Sequence, residues 1–116
     1  MSTKQSGRIA DKIKAAMRQN QLYADPNLSL QNLARYLAIS PNYISQALNE
    51  TLTVNFFDFV NQWRIEAAKS KILANQGTIL SIALEVGFNA RSSFYKASKQ
   101  EVGKTPSEFR KHSIED

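Results

Sequence analysis

Apolar residues recur at three- and four-residue steps along most of this chain, the spacing of helix faces. From Arg8 to Tyr23, the residues Ile9, Ile13, Ala16, Met17 and Leu22 form one such face, with Lys and Arg opposite. The chain ahead of Arg8 is polar and reads as loose. Asp25-Pro26-Asn27 breaks the pattern. Ser29 then caps a short helix whose apolar positions are Leu30, Leu33, Ala34 and Leu37. Ser40-Pro41, an N-cap followed by proline at the first helical position, opens another helix running to about Glu50. Ile44, Ala47 and Leu48 are its inward positions. The longest element is predicted over Asn55 to Asn75, with Asn55 as N-cap, Asp58 three residues on and Gly77 as the stop. Its predicted inward face is Phe56, Phe59, Val60, Trp63, Ala67 and Ser70.

Beyond Gly77, Thr78 caps a helix with Ile79, Ile82, Ala83 and Val86 inward, and Gly87-Phe88-Asn89 makes a tight turn. A helix from about Ala90 to Val102 buries Phe94 and Ala97 and stops at Gly103. Thr105-Pro106-Ser107-Glu108 is a capping box opening a last short helix through Phe109 and Arg110. Nowhere does a two-residue alternation persist, so strands are not expected. The prediction is an all-α fold of about seven helices.

Two stretches flanking the long helix match each other. A shift of 49 residues places Leu30 on Ile79, Leu33-Ala34 on Ile82-Ala83, Leu37 on Val86, Ala38 on Gly87 and Ser40 on Asn89. One extra residue enters the second copy, after which a shift of 50 places Ile44 on Phe94, Ala47 on Ala97, Leu52 on Val102 and Phe59 on Phe109. Apolar, small and capping residues correspond, whereas exposed positions do not. Each copy is a short helix, a three-residue turn and a second helix, with Ala34 or Ala83 small enough to let the second cross closely. That is the shape of a helix-turn-helix, whose second helix enters the DNA major groove. One copy alone would be read as an ordinary helical hairpin; two copies in a basic chain favour the DNA reading.

Composition narrows the chemistry. The 116 residues carry a formal net charge of +5, with a pI of about 9.6, which suits a polyanionic partner. There is no cysteine and only one histidine, His112, so disulfides, thiolate metal sites, thiol nucleophiles and most histidine chemistry are excluded. No carboxylate pair is placed with a base or nucleophile, so no enzyme activity, cofactor or metal is expected. No apolar run nears the roughly 20 residues that span a bilayer, and no signal-peptide core is present at the N-terminus. A cytoplasmic protein without membrane contact is the expectation.

The second copy, Ile79-Leu80-Ser81-Ile82-Ala83 through Val86-Gly87-Phe88, then Ser93-Phe94, Lys99, Gly103, Thr105-Pro106-Ser107 and Phe109-Arg110, closely resembles the C-terminal signature of the AraC/XylS transcription regulators. Arg64, Ala68 and Leu73 stand where the preceding helix of that signature has Arg, Ala and an aliphatic. The first copy, Leu33-Ala34 and then Ser40-Pro41-Asn42-Tyr43-Ile44-Ser45, resembles the first helix-turn-helix of the same family. The resemblance spans roughly Leu28 to Arg110. Thr53 departs from it, replacing the glycine usual before the long helix, and Ala47-Leu48 and Ala97-Ser98 replace positions often holding phenylalanine.

The resemblance implies two homeodomain-like helix-turn-helix subdomains joined by a long central helix. Residues 1–7 form a flexible N-terminus, 8–54 the first subdomain, 55–76 the linking helix, 77–111 the second subdomain and 112–116 a tail. It also implies double-stranded promoter DNA and RNA polymerase as partners, activation of transcription, a bacterial cytoplasm, and association with the nucleoid. Family members usually carry a sensing or dimerisation domain, for which this chain has no room. An excised domain and a small stand-alone member both fit, and the basic start Lys4 to Arg8 leans towards excision.

Outward positions of each second helix are candidates to meet base edges. In the first copy these are Asn42, Ser45, Gln46 and Asn49; the family's matching positions for Asn42, Ser45 and Gln46 carry base or backbone contacts. With no Lys or Arg from Pro41 to Asn49, this helix would read with amides and hydroxyls, for which adenine is the natural bidentate partner. In the second copy they are Arg91, Ser92, Tyr95 and Lys96, with Arg91 suited to the O6 and N7 of guanine. Lys99 and Lys104, with Thr78 and Asn89 at helix starts, are the phosphate candidates. A solvated face is the ordinary alternative for each Lys and Arg. Arg64, mid-helix among apolar neighbours, is expected to bridge an acidic residue such as Glu85. At about 1.5 Å per residue the long helix spans roughly 30 Å, near the roughly 34 Å of a DNA turn, and so is expected to act as a ruler. A competing reading keeps only the second helix-turn-helix on DNA and gives the uncharged first one a protein partner.

Overall fold

The computed structural model describes residues 2–115. These contain seven α-helices and no strand: α1 (Thr3–Asn20), α2 (Leu30–Leu37), α3 (Pro41–Ala47), α4 (Phe56–Leu73), α5 (Ile79–Glu85), α6 (Arg91–Val102) and α7 (Pro106–Glu115). A 3₁₀ turn (Leu22–Ala24) follows α1 and a π turn (Leu48–Leu52) follows α3. The chain divides into two compact units. The first holds residues up to Leu22 together with Asn27–Val60; the second holds Tyr23–Pro26 and the chain from Asn61 onward.

In the first unit α1 packs on α3 and on the π turn, and α2 packs on α3. Ile9, Ala10, Ile13, Ala16 and Met17 of α1 are buried, as are Leu33, Ala34, Ile44, Ala47 and Leu48. The helix α1 starts at Thr3, five residues ahead of the apolar pattern, because Ser2 is its N-cap and accepts from the Gln5 N–H at 3.1 Å. Ser6, also ahead of the pattern, is 1% exposed. Its hydroxyl donates to Glu50 Oε2 at 2.6 Å, which satisfies a polar group inside the unit.

The second unit closes around Ile65, Ala68 and Ile72 of α4, packed with Ile82, Ala83, Val86, Phe88, Phe94 and Ala97. The rings of Phe88 and Phe94 stack at 5.2 Å. Within α4 the observed inward stripe therefore differs from the predicted one past Val60. Ile65, Ala68 and Ile72 are buried, Trp63 and Ala67 are half-buried, and Ser70 is exposed. The helix is apolar on more than one side, so one periodic stripe could not say which side each unit uses. Its N-terminus is as expected: Asn55 Oδ1 accepts from the Asp58 N–H at 2.7 Å. Its C-terminus is not. Asn75, at φ 53°, takes the left-handed conformation, and the Gln76 N–H reaches back to Lys71 O at 3.0 Å. Helix α4 thus stops before Gly77 is reached.

The sequence repeat reappears in the backbone. Ala38 (φ 56°) and Gly87 (φ 109°) are both left-handed. After them Ile39 N–H bonds to Ala34 O at 3.1 Å, and Phe88 N–H to Ala83 O at 3.0 Å. These are the six-to-one bonds of the same helix-ending motif, made twice. The second helices also end alike, at Thr53 (φ 53°) and Gly103 (φ 80°). A β-branched residue in that conformation is sterically strained, which is why the position favours glycine and why Thr53 is a costly departure from it. At Gly87 the glycine is needed twice over, since a Cβ there would lie 2.2 Å from Tyr23 O. The expected tail continues α7 through Glu115; Met1 and Asp116, at the ends of the expected flexible N-terminus and tail, lie outside the described residues.

Candidate nucleic-acid interface

In the first unit Ser40 caps α3 by accepting from the Tyr43 N–H at 3.2 Å, and Pro41 fills the first helical position. Ile44 and Ala47 point into the core, which leaves Asn42 exposed and Ser45 and Gln46 half-buried on the other side. Asn49 is exposed but sits on the π turn, past the end of α3. The wider π turn breaks the 3.6-residue spacing that grouped it with the other three.

Gln46 is already engaged. Its Nε2 donates to Glu50 Oε1 at 2.8 Å, while the other oxygen of Glu50 takes the Ser6 hydroxyl. A carboxylate only accepts, so Glu50 fixes which end of the amide faces it. One N–H and the Oε1 of Gln46 remain for a base. The bonds from Ser6 first, then from Gln46, hold the Glu50 carboxyl below its usual pKa of 4.5. The pairing of Gln46 with the acceptor four residues on was available from helix spacing. The contribution of Ser6, 44 residues away, was not.

In the second unit α6 starts after Ala90, whose side chain makes no cap bond; Asn89 stands one residue further out and is exposed. Arg91, Ser92 and Lys96 are exposed and Tyr95 is half-buried, while Phe94 and Ala97 face the core. Arg91 Nη2 donates to Tyr95 Oη at 2.9 Å, and its guanidinium carbon lies 5.0 Å from the ring centroid. Tyr95 Oη in turn bonds Ser107 Oγ of α7 at 2.8 Å. The Ser107 bond first, then that from Arg91, lowers the Tyr95 pKa from its ordinary value. Each unit therefore holds a base-reading candidate through a relay that ends on a serine of a neighbouring helix: Ser6–Glu50–Gln46 in one, Ser107–Tyr95–Arg91 in the other.

The phosphate candidates are placed as follows. Thr78 is exposed and its Oγ1 accepts from the Ser81 N–H at 3.0 Å as the N-cap of α5. Lys99 is exposed and stands 4.0 Å from Glu108, at the outer limit of an ion pair. Glu108 is occupied by the capping box, accepting from the Thr105 N–H at 3.0 Å, and that bond leads the causes that lower its pKa. Lys104 is half-buried, and its carbonyl accepts from the buried Ser98 hydroxyl at 2.6 Å.

Arg64 does not bridge to Glu85. Glu85 pairs with Lys71 at 3.0 Å, and Glu66 with Lys69 at 3.2 Å. Arg64 instead donates from Nε to Tyr23 O at 2.7 Å and from Nη2 to Asp25 O at 3.0 Å, with its guanidinium 5.7 Å from the Phe88 ring centroid. Burial lowers its pKa, and the charge of Asp25 opposes that shift. Backbone carbonyls of a distant loop carry no side-chain signature, so sequence spacing pointed to the wrong acceptor. The residue is a clasp for Tyr23–Pro26, helped by the stacking of Tyr23 on Trp63 at 6.3 Å.

A helix-turn-helix domain family model matches residues 33–112, well over half of the chain. The chain belongs to the AraC/XylS-type helix-turn-helix DNA-binding domains. A protein described as an uncharacterized HTH-type transcriptional regulator of Staphylococcus aureus (strain COL) is 34% identical over 100 residues, covering 86% of this chain and 13% of the relative. The chain therefore spans about an eighth of the length of that relative. Among solved structures, the C-terminal domain of AraT, a response regulator from Geobacillus stearothermophilus, is 25% identical with a TM-score of 0.77, covering 93% of this chain and 84% of that one. The C-terminal domain of the two-component response regulator YesN from Fusobacterium nucleatum is 27% identical with a TM-score of 0.74, covering 85% and 98%. The all-α fold and the assignment as the DNA-binding domain of a transcription regulator follow. Among the described residues no helix is long and apolar enough to cross a membrane.

Proposed function

We propose that both helix-turn-helix pairs read one promoter site in double-stranded DNA, and that the chain regulates transcription initiation from there. The observation that carries this reading is the backbone repeat: the same left-handed turn at Ala38 and Gly87 precedes a helix with an outward polar set in each unit. Asn42, Ser45 and Gln46 meet bases from the first unit, with the amide of Gln46, oriented by Glu50, suited to adenine, while Asn49 on the π turn falls outside that set. Arg91, Ser92 and Lys96 meet bases from the second, Arg91 on guanine. Tyr95 holds Arg91 through its hydroxyl and offers its ring to a thymine methyl. Thr78, Asn89, Lys99 and Lys104 take phosphates.

The wider role rests on the family. Contact with RNA polymerase, activation as its outcome, a cytoplasmic location with association to the nucleoid, and an effector-binding or dimerisation domain elsewhere in the whole protein belong to this proposal. Selecting binding sites from random duplexes tests it. An enriched motif with two separated blocks, one holding an A·T pair and one a G·C pair, is expected. A motif of one block would support the competing reading, in which the first helix-turn-helix docks a protein; no enrichment would refute sequence-specific reading.

A further inference from the structure

The first reader has a charge problem. Helix α3 has no Lys or Arg from Pro41 to Asn49, and the carboxylate of Glu50 stands beside Gln46. Phosphate neutralisation supplies most of the sequence-independent part of DNA affinity, so an uncharged helix would enter a groove between two anionic strands without help. The first unit contains that help on another element. Helix α1 packs along α3, and Ser6 of α1 is tied to Glu50 on the π turn that follows α3. Towards the start of α3 a cleft of about 390 Å³ opens between α1 and the turn. Arg8 and Lys12, four residues apart on α1, line it from one side, and Ile39, Ser40 and Tyr43 from the other. No carboxylate lines it, and among the described residues neither cation has an ion-pair partner.

Position makes this more than a solvated face. Tyr43, 45% exposed, belongs to α3 and lines the cleft, so the cleft flanks the helix that carries Asn42. A helix with its side chains is about 10–12 Å across, and the major groove is about 12 Å wide. A helix seated there fills the groove, and whatever flanks it meets the sugar–phosphate strand. We propose that Arg8 and Lys12 of α1, with Tyr43 of α3 on the opposite wall of the cleft, form a phosphate-binding surface that seats the uncharged first recognition helix on DNA. The inference rests on the reading that the first unit engages duplex DNA, and it assigns the cations that this unit uses.

The test is the salt dependence of binding by the full chain to a duplex carrying its selected site and to a scrambled duplex of equal length. The variant is Arg8→Gln/Lys12→Gln, and the charge-matched control is Lys69→Gln/Lys71→Gln, on cations paired with Glu66 and Glu85. Each phosphate contact contributes about 0.9 to the slope of log K against log salt. Losing two lowers the slope by about 1.8 and weakens binding about 30-fold at 0.15 M salt, alike on both duplexes. The control keeps the slope of the wild-type chain. Thermal unfolding, and the two single substitutions with about half the slope change each, separate a lost contact from a lost fold. A double variant whose slope equals that of the wild-type chain or of the control overturns the phosphate surface alone. A wild-type chain that binds neither duplex overturns the DNA reading beneath it.

Discussion

Replacing Tyr95 by Phe isolates the relay that holds Arg91. The ring stays, so the edge-on packing against Phe94 at 6.5 Å and the cation–π contact at 5.0 Å survive. What goes is one oxygen, and with it the bonds to Arg91 at 2.9 Å and to Ser107 at 2.8 Å. Both are at the surface, so the fold should lose less than about 1 kcal/mol. The guanidinium loses its anchor and must be immobilised when it meets a base, at a cost of about 0.5–1.5 kcal/mol for a long side chain. Discrimination at the base pair read by Arg91 should therefore fall about 2- to 12-fold. Arg91→Ala removes the bidentate contact itself and should cost about 1–3 kcal/mol, or about 5- to 150-fold, at the same base pair. Equilibrium anisotropy against a panel of duplexes, each with one base pair of the selected site changed, reads both numbers. The two variants should lose discrimination at one shared position, with Tyr95→Phe the milder. If Tyr95→Phe matches the wild-type chain where Arg91→Ala does not, the relay does no positioning. If Arg91→Ala weakens every duplex equally, Arg91 is a phosphate contact.

Other perturbations follow from the same geometry. Thr53→Gly should stabilise the chain by about 1 kcal/mol by releasing left-handed strain. Gly87→Ala should destabilise it by about 2–4 kcal/mol, because the new Cβ meets the Tyr23 carbonyl. Urea unfolding of both should move the midpoint in opposite directions, and a shared direction would refute the strain argument. Arg64→Met keeps the aliphatic stem and drops two charged hydrogen bonds, so a loss of about 2–4 kcal/mol is expected. A change of less than about 0.5 kcal/mol would show that the clasp contributes nothing, since surface changes rarely exceed that. The Glu50 pKa is depressed in the folded chain, so its stabilisation is present above pH 4.5 and lost as pH falls through the lower folded value. Glu50→Gln should flatten the acid side of the melting-temperature profile, and a profile parallel to that of the wild-type chain would contradict the Ser6–Glu50–Gln46 relay.

Local signals carried much of this fold. Ser29, Ser40, Thr78 and the Thr105–Glu108 box were legible as caps because a cap bond is made within three residues of its donor. The repeat was legible because apolar and turn positions answer to the same packing in both copies. What failed was a cap with no apolar pattern directly behind it, and whatever depended on a partner distant in sequence. The apolar pattern started α1 at Arg8, whereas Ser2 starts it at Thr3. Helix α4 shows apolar residues on several sides, so its buried stripe past Val60 depends on where its neighbours pack. Arg64 offered no way to see two main-chain carbonyls as its acceptors. Within the candidate interface, outward positions were legible by elimination, but the serines that steady Gln46 and Arg91 come from α1 and α7 and were not.

The central claim is that both units read the same DNA, and hydroxyl-radical footprinting of the full chain on its selected duplex tests it most directly. Two protected stretches should appear, one lost selectively in Gln46→Ala and the other in Arg91→Ala. A single stretch, unaffected by Gln46→Ala, would contradict the claim and leave the first helix-turn-helix off the bases.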